Sequence, residues 1–205
     1  MSNELSKDEL LSLIIRCTNF AAKKHKNQRR HDLEQTPYIN HPIGVASILT
    51  EEGKVYDPNV IVAALLHDTV EDTETTMEEI EREFGEKIKS IVSEVTDDKS
   101  LPSQERKRLQ VVHTPHISHE AKLVKLADKI YNLRDLQRST PIGWTSTRVY
   151  NYFQWSKEVI QGCRGTNERL ETIFDGIVAQ QPKINGIQLA IKYLNSIFLK
   201  SPFQS

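Results

Sequence analysis

The chain has 205 residues, 27 basic and 28 acidic, with a formal net charge of -1. That length suits one domain with a real core, and the charge balance excludes a global field that would draw nucleic acid or an anionic membrane. Gly and Pro, at 8 each, exclude a fibrous or low-complexity chain, and two isolated cysteines, Cys17 and Cys163, exclude a disulfide scaffold or a cysteine-type zinc finger.

The first nine residues are polar and lack an apolar signal core, and no run approaches about 18 apolar residues, so a soluble cytoplasmic protein is expected. Ser6 and Glu9 form a capping-box pattern, and Leu10, Leu13, Ile14, Cys17, Phe20 and Ala21 follow with helical spacing. That helix is predicted to continue into a basic run, Lys23 to Arg30. Asn40 and Pro42 mark a second helix start, and Gly53 its end. Asp57-Pro58 opens a third helix through the apolar run Val60 to Leu66 and on into His67-Asp68-Thr69-Val70-Glu71-Asp72.

Thr75 or Thr76 opens a short helix that Gly85 closes, and Ile88, Ile91, Val92 and Val95 are spaced for another. A break at Asp97 to Pro102 precedes a basic helix from Ser103 to Val112. Long helices are predicted from Ala121 to Gln137, Ser146 to Gln161 and Thr166 to Gln180. Residues 184–198 have amphipathic spacing that fits an appended helix. With no alternating strand pattern, repeat or linker, the expected architecture is one all-α domain over residues 1–182, with a C-terminal extension over 183–205.

The hexapeptide is the strongest chemical signal. Polar groups of this kind at the end of a buried segment call for pairing or metal coordination. On a helix turning about 100° per residue, His67 and Glu71 are one turn apart, as are Asp68 and Asp72, while Val70 faces the core. His67-Asp68 alone also reads as a helix-end ion pair. A metal needs more donors. His41, at a helix start, and Asp128, on a helix with an apolar opposite face, are the candidates. Such a mixed nitrogen and oxygen set suits manganese, iron or magnesium better than structural zinc.

His41, His67-Asp68 and Asp128 resemble the H…HD…D pattern of HD-domain metal-dependent phosphohydrolases. The segments Thr36-Pro37-Tyr38-Ile39-Asn40-His41-Pro42 and Lys125-Leu126-Ala127-Asp128-Lys129-Ile130-Tyr131-Asn132-Leu133-Arg134 are similar to those of RelA/SpoT-type alarmone hydrolases. So is His67 to Asp72. The resemblance runs from about Ala21 to Gly165 and is close to the small stand-alone animal members. It implies an all-α HD-domain bundle and a Mn²⁺-dependent hydrolase removing the 3′-pyrophosphate of guanosine 3′,5′-bis(diphosphate), ppGpp. The implied metal ligands are His41, His67, Asp68 and Asp128. Glu71 and Asp72 are implied to position and deprotonate water.

Arg29, Arg30, Asn132 and Arg148 are substrate-binding candidates, with Lys107 and Arg108 as further phosphate partners. Two positions depart from the family pattern: His31 stands where another basic residue is common, and Ser103 where Lys is. The length implies a hydrolase without synthetase and regulatory domains. Removal of the 2′-phosphate of NADPH is the alternative reaction, and a non-catalytic nucleotide-binding module the alternative class. No nucleic-acid or membrane partner is expected, and the oligomeric state is left open. His113, His116 and His119 are expected to be ordinary loop residues, because Pro115 breaks any shared helix. Trp144, Tyr150, Tyr152, Phe153 and Trp155 are expected in the core or at its rim.

Overall fold

The structure, a computed structural model, describes residues 6–180. Its first helix, α1 (Lys7–Lys24), starts at the expected capping box: Glu9 N donates to Ser6 Oγ at 3.3 Å and Ser6 N donates to Glu9 Oε2 at 2.8 Å. Cys17 and Ala21 are its buried residues. The helix stops at Lys24, so Lys23 to Arg30 is not one helical face. Tertiary bonds replace helical ones here: the His25 ring meets Gln28 at 2.5 Å, and Gln28 donates to the Asp72 carbonyl. Arg30 N then bonds Thr36 O at 2.8 Å, Tyr38 N bonds Gln28 O at 3.1 Å, and Arg29 bridges Pro37. The loop thus turns Arg30 back towards the centre of the molecule.

Helix α2 (Asn40–Ser47) runs into a π-helical turn, Ile48–Glu52, which Gly53 closes. Helix α3 (Pro58–Leu66) begins where Asp57 accepts from Asn59 N at 2.8 Å, and every residue from Val60 to Leu66 is buried. A one-turn helix, α4 (Thr69–Asp72), follows. Helix α5 (Met77–Phe84) is capped by Thr76 and ends at Gly85, whose φ of 89° is in the left-handed region that favours glycine. Then come α6 (Glu86–Val95), α7 (Ser103–His113) and a 3-10 turn, Thr114–His116, which contains Pro115. The last helices described are α8 (His119–Arg138), α9 (Ser146–Gln161) and α10 (Glu168–Ala179).

Helix α3, apolar from Val60 to Leu66, is central, touching α1, α2, α6 and α8, while α8 also packs on α9 and α10. Burial all round matches the absence of polar residues between Val60 and Leu66. Each large side chain buried there contributes about 1.5–3 kcal/mol. Among the described residues the fold is all-α, with no strand beyond the Arg29–Pro37 bridge. No described helix is long and apolar enough to cross a membrane. The predicted helix over 184–198, and the extension over 183–205, lie outside the described residues.

Candidate active site

Helix α3 ends one residue before the chemistry begins. The chain does not run on helically through His67 and Asp68, as the hexapeptide spacing predicts. Side chains take the carbonyls at the helix end: Thr69 Oγ1 donates to Leu66 O at 2.7 Å, and His67 Nδ1 lies 2.7 Å from Ala64 O. Asp68, at φ -97° and ψ -5°, then starts α4 as its N-cap residue. The kink brings His67 Nε2 within 3.2 Å of Asp68 Oδ2. The Ala64 contact holds the Nδ1 proton, so Nε2 is the ring nitrogen that faces the cluster and is freed as a donor when it loses its proton.

His41 comes from the start of α2, and Asp128 from the middle of α8. His41 Nε2 lies 3.2 Å from His67 Nε2, 3.3 Å from Asp68 Oδ2 and 3.2 Å from Asp128 Oδ1. His67 Nε2 to Asp128 Oδ1 is wider, at 3.8 Å. Donors bound to one ion at about 2.1 Å stand about 3 Å apart when adjacent in an octahedron. The donor spacing therefore fits a divalent ion, and His41, His67 and Asp128 form a group able to hold one. Both imidazoles are almost wholly buried, at 1% and 5% exposure.

Electrostatics support the same reading. Burial opposes a charged His67, yet Asp68 and Asp128 outweigh it and hold its pKa well above the ordinary imidazole value. Burial also opposes a charged Asp68, but His67 and His41 hold its carboxyl well below the carboxylate range; for Asp128, Lys129 and the histidines do so. Without a cation the cluster is stabilised by shared protons, and a divalent ion supplies the positive charge those carboxylates demand.

Glu71 and Asp72 line the same cavity, of about 190 Å³. Glu71 Oε2 accepts from Asp97 N at 3.2 Å, and Oε1 faces Arg106 at 3.3 Å. Burial, then Asp97 and Asp68, pushes its pKa up to about 7. The Asp72 carboxylate contacts Lys99. Arg30 donates to Asn132 Oδ1 at 2.9 Å and to Asp135 at 2.7 Å, with Tyr38 and Tyr131 rings beside its guanidinium. Asn132 in turn donates to Asp128 Oδ1 at 2.6 Å.

The remaining candidates divide. Arg29 lines a neighbouring cleft of about 710 Å³ that shares Arg30, Tyr38 and Asn132 with the cavity, but its own guanidinium donates to the carbonyls of Lys26 and Gln28. Arg148 lines neither space; it lies 4.1 Å from the Trp144 ring, and Trp144 lines the cleft. Trp144 and Tyr152 are thus cleft walls, while Phe153 is core. His113, His116 and His119 fall at the end of α7, in the 3-10 turn and at the start of α8.

A model of the HD domain matches residues 17–153. The chain belongs to the HD-domain family. The HD chain is also 62% identical to a Xenopus tropicalis guanosine-3′,5′-bis(diphosphate) 3′-pyrophosphohydrolase over 170 residues, covering 83% of this chain and 95% of the frog protein. The human protein of that name is 57% identical over 168 residues, covering 82% and 94%. A solved structure of a metazoan ortholog of SpoT, described as hydrolysing ppGpp, superposes with a TM-score of 0.82 at 48% identity, covering 89% of this chain and all of the other. These similarities place the HD chain in the RelA/SpoT-type branch.

Several residues around the HD centre carried no separate sequence signal. Tyr38 Oη donates to Asp68 Oδ2 at 2.6 Å, and Lys129 Nζ to Asp128 Oδ2 at 2.9 Å. Both stand beside residues of the H…HD…D pattern, so neighbourhood was the available clue. Nothing in the order of residues connects Arg106 or Asp97 with Glu71.

Proposed function

We propose that the chain hydrolyses ppGpp to GDP and pyrophosphate with Mn²⁺ as its cation, held by His41, His67, Asp68 and Asp128. One observation carries the reading: four donor atoms from α2, the α3–α4 junction and α8 converge beside a carboxyl poised near neutrality. Relatives that share more than half of their residues with this chain bear the name of that activity.

A divalent cation supplies Lewis acidity, lowering the pKa of water towards 7 and steadying phosphoryl oxygens. Glu71 accepts the proton of the attacking water, which its raised pKa suits near neutral pH. Asp97 N and Arg106 fix that carboxyl from two sides. Asp72, anchored through Lys99 and through its carbonyl to Gln28, orients the water. The water oxygen bonds the phosphorus carried by O3′, the O3′–P bond breaks, and O3′ takes a proton. Arg30, tied to Asn132 and Asp135 at the shared wall, places donors where the nucleotide phosphates enter.

A nucleotide-binding module has no need of a proton acceptor held beside a cation site, and Glu71 is such an acceptor. The test is pyrophosphate release from ppGpp by purified protein with Mn²⁺, abolished in Asp68→Ala. Orthophosphate release from NADPH alone would move the substrate and keep the site. No turnover together with no bound metal would favour the binding module.

A further inference from the structure

The donor-cluster cavity has two neighbours. On one side it shares Arg30, Tyr38 and Asn132 with the large cleft; on another it shares Gln110 and Lys125 with a third cavity, of about 200 Å³. Lys125 is 7% exposed, one turn before Asp128 on α8. Among the described residues it makes no hydrogen bond and no close ion pair. Its neighbour Lys129 is equally buried but is satisfied by Asp128 at 2.9 Å and by the Trp155 ring at 4.7 Å.

A buried ammonium without a partner is unfavourable and calls for an anion supplied from elsewhere. Burial, and then the like charge of Lys129, lower its pKa in the free protein despite Asp97 and Asp128, and a bound anion would add to what favours the charged form. The cavity's charge balance agrees. Arg30, Lys125 and Lys129 face Asp68, Glu71, Asp72 and Asp128. A divalent cation turns that balance positive, and the Asp97 and Asp128 carboxylates act on Lys125 only from beyond ion-pair distance.

We propose that Lys125 anchors the phosphate farther from the ribose in a 3′-pyrophosphate, and so makes the site prefer a pyrophosphate ester to a phosphate monoester. This rests on the proposed pyrophosphohydrolase reading. A nucleoside in the large cleft brings its O3′-linked phosphorus past Arg30 to the donor cluster. The second phosphate continues away from the ribose, towards the wall that Lys125 and Gln110 form. A monoester ends before it. In the reaction Lys125 forms and breaks no covalent bond; it holds the distal phosphate in the ester and in the departing pyrophosphate.

The test is Lys125→Met, which keeps the length of the buried stem and removes the charge. At fixed free Mn²⁺, kcat/KM for ppGpp falls by about 10²-fold, as for loss of a preorganised donor. Product inhibition by inorganic pyrophosphate weakens with it, while inhibition by orthophosphate stays as in the wild type. Thermal melting of the metal-free protein holds or rises, because an unpaired buried charge is gone; Lys125→Gln provides the same reading if the methionine packs poorly. Lys125→Arg recovers part of the pyrophosphate inhibition. Unchanged kinetics in the folded variant, or equal loss of pyrophosphate and orthophosphate inhibition, overturns the role. A wild type that releases no pyrophosphate from ppGpp sinks the proposed function instead. Calorimetric binding of inorganic pyrophosphate to Mn²⁺-loaded wild-type and Lys125→Met protein then still decides Lys125.

Discussion

Glu71 and Arg106 meet at 3.3 Å across 35 residues of sequence, joining α4 to α7 at the edge of the cation site. The Glu71 carboxyl is raised to about 7 chiefly by burial. An acid bound more tightly to its proton in the fold than in the unfolded chain favours folding below its ordinary 4.5, and that contribution is lost as pH rises from 4.5 through about 7. Activity runs the other way, because the base must be deprotonated.

From this pairing, Arg106→Met should move the acidic limb of the kcat profile to higher pH, since losing the nearby cation disfavours the carboxylate. A profile that stays in place, measured at saturating Mn²⁺, would show that Arg106 does not govern Glu71.

Glu71→Gln should lower kcat by about 10²–10⁴-fold while leaving the bound metal content intact, as removal of a general base does. It should also make the metal-free protein no less stable at pH 8, where the wild-type carboxyl is held charged against burial. Metal analysis alongside steady-state kinetics separates this outcome from a variant that simply loses its ion.

Chelation should both inactivate and destabilise the protein. An ion bound only by the folded state at 100 times its Kd contributes about 2.7 kcal/mol. Because His67 carries a raised pKa in the ion-free cluster, metal uptake must expel protons, and affinity should fall as pH drops. Calorimetry in two buffers of different ionisation enthalpy counts those protons; a buffer-independent heat contradicts the charge state drawn here.

Arg30 bonds Asn132 and Asp135 while flanked by two tyrosines, a setting that uses the planar fork. Arg30→Lys should therefore behave like Arg30→Met, with kcat/KM for ppGpp reduced about 10–100-fold. Wild-type kinetics in the lysine variant would reduce Arg30 to a point charge.

Gly44→Ala tests how packing holds a ligand. A Cβ at Gly44 would lie 2.0 Å from Tyr131 Cε2, and the Tyr131 ring packs edge-on against His41 at 4.9 Å. Overpacking of this kind costs about 1–3 kcal/mol. A lower Tm should come with weaker Mn²⁺ affinity; loss of stability with metal affinity retained would show that Tyr131 moves without His41.

The helices were legible wherever the physics is local. Ser6 with Glu9, Asp57 before Pro58, Thr76 and Gly85 are caps whose side chains or φ values act within four residues, and α9 spans the predicted Ser146 to Gln161. Apolar spacing likewise marked Val60 to Leu66 as interior, and the ordered segments around His41, His67-Asp68 and Asp128 marked the HD pattern. Local rules failed where distant groups compete for the backbone. Gln28 reaching the Asp72 carbonyl helps end the basic helix early, and Thr69 and His67 take the carbonyls that a continuous helix past Leu66 would have used. Only tertiary packing decided that His41 meets His67, Asp68 and Asp128 within 3.3 Å, that Arg106 finds Glu71, and that Lys125 is buried without a hydrogen-bond partner while Lys129 is not. Those relationships depend on how α3, α7 and α8 pack together, which spacing along a single helix does not encode.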